Sequence, residues 1–108
     1  MASQVNNIVI EGNLVRTAVI REDGHVEATI QNHEEWANRE GDPRTRENMF
    51  GVIATPNTRA AAALAKMTPG TGFTILGSLR TVEEPPGPRG GLRTKTKIHI
   101  RKILFHHQ

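Results

Sequence analysis

The chain has 108 residues, room for one domain of ordinary size and too little for a multi-domain enzyme. It contains no cysteine and no tyrosine, which excludes disulfide staples, thiolate metal sites and thiol nucleophiles together. The formal charge of +3 hides a division: all 11 carboxylates precede Pro85, and residues 85–108 carry Arg89, Arg93, Lys95, Lys97, Arg101 and Lys102 with no acidic side chain. A polyanion is the simplest partner for such a segment. The plainer reading is a solvated basic strand that keeps the protein soluble.

From Val5 to Val15 the apolar residues alternate through Ile8, Ile10 and Leu14, with Gly12 marking a bend or bulge, the pattern of a first strand. Ala18 to Arg21 extends it, and Glu22-Asp23-Gly24-His25 is a hairpin turn in which Asp-Gly supplies positive φ. Val26, Ala28 and Ile30 alternate with Glu27, Thr29 and Gln31, a half-buried second strand. Residues 33–48 are polar around Gly41-Asp42-Pro43, with Trp36 the one large apolar side chain. A connection this long inside a small domain is a functional loop or a projecting hairpin.

Met49 to Thr55 suits a central third strand ended by Pro56. Asn57 or Thr55 can cap the following segment, and Thr58 to Met67 is a helix stopped by Thr68-Pro69-Gly70. Phe73, Ile75, Gly77 and Leu79 alternate along a fourth strand, again with a bend at the glycine. Residues 83–94, with Pro85-Pro86-Gly87-Pro88 and Gly90-Gly91, are expected to form a flexible loop without a regular ladder. In the last strand Lys95, Lys97, His99 and Arg101 share one face, and Thr96, Ile98 and Ile100 the other. Past Arg101-Lys102 the apolar parity passes to Ile103 and Phe105, which predicts a bulge. Five short strands with one helix between the third and fourth fit an all-β fold, a five-stranded OB barrel occupying residues 1–108 as one domain.

With this order in hand, three segments resemble the bacterial and phage single-stranded DNA-binding proteins. Asn7-Ile8-Val9-Ile10-Glu11-Gly12-Asn13-Leu14 is similar to that family's first strand. Phe50-Gly51-Val52-Ile53-Ala54-Thr55, with the helix ending in Met67-Thr68-Pro69-Gly70, is similar to its third strand and helix. Phe73-Thr74-Ile75-Leu76-Gly77-Ser78-Leu79-Arg80-Thr81 is similar to its fourth. Their order and spacing across the chain carry the match, and oligomeric OB proteins such as primosomal replication protein B share the outline.

The resemblance implies an OB fold, a homotetramer or a two-fold dimer paired through the edge of strand one, and sequence-tolerant binding of single-stranded DNA in replication, recombination or repair, without catalysis or cofactor. It also implies that bases stack on aromatic side chains of the hairpin and of strand three while basic side chains follow the phosphates. Residue by residue, Trp36 and Phe50 become the stacking candidates. Arg39, Arg44, Arg46, Arg89, Arg93, Lys95 and Lys97 become phosphate contacts, with Arg80 and Arg101 as secondary ones. Two departures stand out: Met49 and Thr55 occupy strand-three positions where the best-known members have tryptophan and phenylalanine, and no acidic tail follows Phe105. Phe73 and Phe105 fit core positions, so affinity should lean on charge.

Other classes find little support. No stretch approaches the roughly 20 apolar residues that a membrane helix needs, and Met1 to Asn7 does not look like a secretory start, so a cytoplasmic, nucleoid-associated protein is expected. Glu34-Glu35 reads as a solvated turn rather than a catalytic pair. His99 with His106-His107 lacks the carboxylate or thiolate company of a metal site. Gly87-Pro88-Arg89-Gly90-Gly91 lacks the Lys-Ser/Thr ending of a phosphate-cradling loop. The rival function is an interaction or assembly module whose basic last strand meets an acidic protein or structured RNA.

Overall fold

The structure, a computed structural model, describes residues 4–91 and 93–105. Six strands and one helix follow in chain order: β1 (Ile8–Leu14), β2 (Val19–Ile20), β3 (Val26–Ala37), β4 (Pro43–Ala54), α1 (Arg59–Lys66), β5 (Gly72–Glu84) and β6 (Arg93–Phe105). The strands lie in the order β1-β5-β6-β4-β3-β2, and a further pairing of β1 with β3 closes the sheet. Without the two-residue β2 this is a closed five-stranded barrel of the OB type, its one parallel contact joining β4 to β6 at Val52↔Ile98 and Ile53↔His99. No helix among the described residues is long and apolar enough to cross a membrane.

Alternation builds the core. Leu14, Ile30, Val52, Phe73 and Ile75 face inward and are fully buried, together with Leu64 of α1. The helix buries its alanine side, Ala60 and Ala61, with Leu64, and packs against β3, β4 and β6. Its cap is Thr58, whose hydroxyl accepts from Ala61 N at 3.1 Å. Thr55 and Asn57 do not cap: Asn57 takes positive φ (63°) in the turn before the helix, and the Thr55 hydroxyl is engaged by His99.

Two glycines permit close approach. A side chain at Gly12 would meet the Gln31 carbonyl oxygen at 2.6 Å, where β1 crosses onto β3, and one at Gly77 would fall on the His99 carbonyl. The predicted bulge is present: Leu76 pairs with Lys102 and Gly77 with Ile100, leaving Arg101 unmatched. The Asp-Gly turn is present too, with Gly24 at φ 91° and Arg21 N donating to His25 O.

Two expectations change and a third is decided. Residues 19–20 form a separate short strand on the edge of β3 instead of extending β1. The polar stretch 33–48 is the projecting hairpin of the two alternatives: β3 and β4 stay paired out to Ala37↔Pro43. The β5–β6 ladder likewise persists to Glu83↔Thr94 and Glu84↔Arg93, so the proline- and glycine-rich loop begins only at Pro85. Proline lacks a donor, but it interrupts a ladder only where it sits, and Pro85 is the first one.

Candidate nucleic-acid interface

Period-two alternation sends the odd-numbered residues of β3, β4 and the part of β6 before the bulge outward. Thr29 lies opposite Gly51, and the Lys97 methylenes run over Gly51, with Cγ 3.5 Å from where a glycine side chain would begin. A missing side chain on β4 therefore opens a shallow groove of about 570 Å³, bordered by Arg16, Val19, Thr29, Gly51, Lys95 and Lys97. Arg16 and Lys95 are exposed and have no ion-pair partner among the described residues. Arg16 was not singled out from sequence, because a lone arginine between two strands carries no pattern.

Lys97 differs. Its side chain is 12% exposed, and its ammonium pairs with Glu27 and with Glu84 Oε1 at 3.0 Å, while Arg21 pairs with the other Glu27 oxygen. Burial works against the Lys97 charge, but the bonds to Glu27 and Glu84 outweigh it and hold its pKa above the ordinary value. The bond from Lys97 in turn holds the Glu84 carboxyl below its usual range. Two cations and two carboxylates thus neutralise one another across β3, β5, β6 and the turn after β2. The phosphate role expected of Lys97 meets an ammonium already doubly engaged.

The β3–β4 hairpin leaves the barrel and turns at Asn38, whose Oδ1 accepts from Glu40 N and Asp42 N at 3.0 and 2.9 Å. Gly41 takes φ 84° there. Trp36 stands opposite Arg44 and Glu34 opposite Arg46, so Trp36, Arg44 and Arg46 share a face. The Arg46 guanidinium lies 5.6 Å from the Trp36 ring centroid, a cation–π distance. Trp36 is 42% exposed, and Arg39 is exposed at the turn. The other face carries Gln31, His33, Glu35, Glu47 and Met49. His33 Nδ1 meets Glu47 Oε1 and its Nε2 meets Glu35 Oε1 at 3.0 Å. Glu47 first, then Glu35, raises the His33 pKa, while Gln31 first, then His33, lowers that of Glu47.

Parity decides which of these faces continues the groove. Thr29 and Gly51 run on into Gln31 and Met49, so the acidic face is the continuation and Trp36 lies on the reverse. Trp36 and Lys95 are therefore not brought to one surface. Phe50 also faces inward, opposite Ile30, and is half-buried against the core, an arrangement that leaves little of its ring for a base. Met49, at 57% exposure, is the outward side chain at that point.

The remaining candidates divide between loop and barrel. Arg89 and Arg93 are exposed at the β5–β6 tip. Arg80 is exposed beside His99, whereas Arg101 donates to Asn7 Oδ1 at 2.7 Å and to Gly77 O at 3.1 Å, tying the bulge to the residues before β1. Glu34 and Glu35 point to opposite faces, bonded to Asn48 and His33 respectively. Phe73 is fully buried. The Phe105 side chain and the His106-His107 pair lie outside the described residues, and among the described residues no group of three His, Cys, Asp or Glu side chains is placed to hold a metal.

Solved structures share this architecture. The SSB of Plasmodium falciparum, solved in complex with ssDNA, matches with a TM-score of 0.78 over 99% of each chain at 15% identity. The small single-stranded DNA-binding protein of Streptomyces coelicolor matches with a TM-score of 0.68 over 96% of each chain at 23% identity. No protein-family model and no curated protein sequence matches the chain. The barrel thus has the OB fold of these two proteins over essentially its whole length.

Proposed function

We propose that the chain binds single-stranded DNA along the outer groove of β3, β4 and β6, with little sequence preference and without catalysis. The observation that carries this reading is the open groove beside exposed Arg16 and Lys95, which have no ion-pair partner among the described residues, on a barrel of the same fold as a protein solved with ssDNA. Phosphates meet Arg16 and Lys95 at the groove margin and Arg89 and Arg93 at the β5–β6 tip, while the neutralised Lys97 network forms the floor. Bases meet Met49 and, where the strand passes round the hairpin, Trp36. The groove offers few aromatic platforms, so charge supplies much of the affinity.

A second copy of the chain belongs to this proposal. β1 is paired on one side with β5, but on its other side only Asn13 and Leu14 pair with β3, and Val5 and Val9 beside the free edge are 88% and 72% exposed. Pairing of that edge with a two-fold mate covers an aggregation hazard and leads to a dimer or tetramer. Work in replication, recombination or repair, at the nucleoid in the cytoplasm, is the setting this binding suits.

The test is the anisotropy of labelled oligo-dT and of a duplex of equal length, at several salt concentrations. The four cations predict a slope of log K against log salt of about −3 for the single strand and weaker binding of the duplex. Equal affinity for both, or no binding of either, would instead favour the interaction-module reading.

A further inference from the structure

Two residues beyond Gly51 on β4 and beyond Lys97 on β6, the same outward face of the barrel holds a separate pocket of about 320 Å³. It is lined by Ile53 of β4, His99 of β6, Arg80 of β5 and His25 of the β2–β3 turn, with Arg21, Asp23 and Glu83 around it. His99 Nε2 lies 2.8 Å from the Thr55 hydroxyl, while its Nδ1 is buried with no hydrogen-bond partner. When the Thr55 hydroxyl donates to Nε2, the ring proton sits on Nδ1 as an unused donor. Buried polar atoms are seldom left so, and a ligand acceptor would relieve the penalty. His25 Nδ1 is buried as well, 3.0 Å from Asp23 Oδ1 but outside hydrogen-bonding geometry.

The charges around His99 define the ligand. Burial lowers the His99 pKa most, followed by Arg80, His25 and Arg101, so the field at this imidazole is that of cations. Arg80 has no ion-pair partner among the described residues. Arg21 is committed to Glu27. Asp23 accepts from His25 N, and both Asp23 and Glu83 are exposed, where water weakens their repulsion. An unused N–H beside an unpaired guanidinium suits an oxygen anion that can accept from both.

We infer that this pocket is a phosphate site, in which one oxyanion accepts from the exposed Arg80 guanidinium and, once a turn of the imidazole uncovers it, from His99 Nδ1–H. On the reading of the chain as a single-strand binder, on which this part rests, the occupant is a phosphodiester of the bound strand. The strand then runs from Lys95 along β6 to His99, and the site ties its path to the barrel wall.

Histidine side-chain ¹⁵N–¹H NMR of the full chain tests this, with inorganic phosphate and with oligo-dT lacking terminal phosphates titrated separately. His99 resonances, identified by their loss in H99Q, should move with both ligands, and the His99 midpoint should rise when either is bound. R80Q, at an exposed position, should weaken phosphate binding roughly tenfold, the scale of one charge-assisted hydrogen bond. H99Q removes Nδ1 while leaving an amide near Thr55, and should do the same. Oligo-dT bound, as read by tryptophan fluorescence, with His99 unmoved by either ligand would overturn the site and leave the single-strand reading standing. Phosphate moving His99 while bound oligo-dT does not would overturn the strand as occupant. Phosphate moving His99 with no oligo-dT binding anywhere would support the oxyanion site and sink the single-strand reading.

Discussion

The same two strands behave differently at their two ends. Between Val26 and Gln31 alternation in β3 sorts apolar residues inward and polar ones outward, and between Met49 and Ala54 the inward residues of β4 are Phe50, Val52 and Ala54. Beyond Asn32 and Asn48 the ladder continues with no core beneath it, and alternation sorts chemistry: Trp36, Arg44 and Arg46 on one face, His33, Glu35 and Glu47 on the other. A ladder needs only backbone partners, so it can outrun the core, and its side chains are then free to serve an interface. Substitutions in the barrel core should therefore cost stability, and substitutions of outward side chains on the hairpin should cost binding.

The largest expected effect is in the barrel. Ile30→Ala leaves a cavity beneath the β3–β4 ladder and should destabilise by about 2–5 kcal/mol in urea unfolding. Trp36→Ala should leave the unfolding midpoint nearly unchanged yet weaken oligo-dT binding by about 1–3 kcal/mol, the range for one stacked base. Unchanged affinity would assign the reverse face of the hairpin to something other than DNA.

A finer comparison sets Lys95 against Lys97. Lys95→Gln should reduce the salt slope for oligo-dT by about 0.7, one phosphate contact for a single strand, without affecting stability. Lys97→Gln should hardly change the slope but should lower stability, because it leaves Glu27 and Glu84 facing each other without their shared cation. A slope change of equal size in both variants would show that DNA displaces the carboxylates from Lys97.

The smallest effect is one of pH. The His33 pKa is raised above its ordinary 6.5 by Glu47 and Glu35, so the contribution of His33 is complete below that ordinary value and is lost as pH rises through the folded one. Hairpin amides, corrected for intrinsic base catalysis, should exchange faster above that pH in the wild type and show no such step in His33→Gln.

Most of the barrel was readable from local pattern. The alternation of Ile8 to Leu14 and Val26 to Ile30, the parity change at Arg101 and the alanine-rich helix are set by neighbours in the chain. What escaped depends on distance or on register. Lys97 looked free because Glu27 is 70 residues away, and the side on which Trp36 lies follows only once the polar stretch 33–48 is seen as paired strands. Phe50 resembled a platform by type, but its register with Ile30 turns it inward. Thr58 won the cap because Asn57 has left the extended conformation that a cap requires.

Single-stranded DNA lying in the groove between Thr29, Gly51 and Lys95 should be visible in backbone amide NMR with saturating oligo-dT. The largest perturbations are expected at Arg16, Thr29, Gly51, Lys95 and Thr96, with the helix and the free edge of β1 unaffected. Binding that instead perturbs only the hairpin tip, or only β1 and α1, would rule the groove out as the path of the strand.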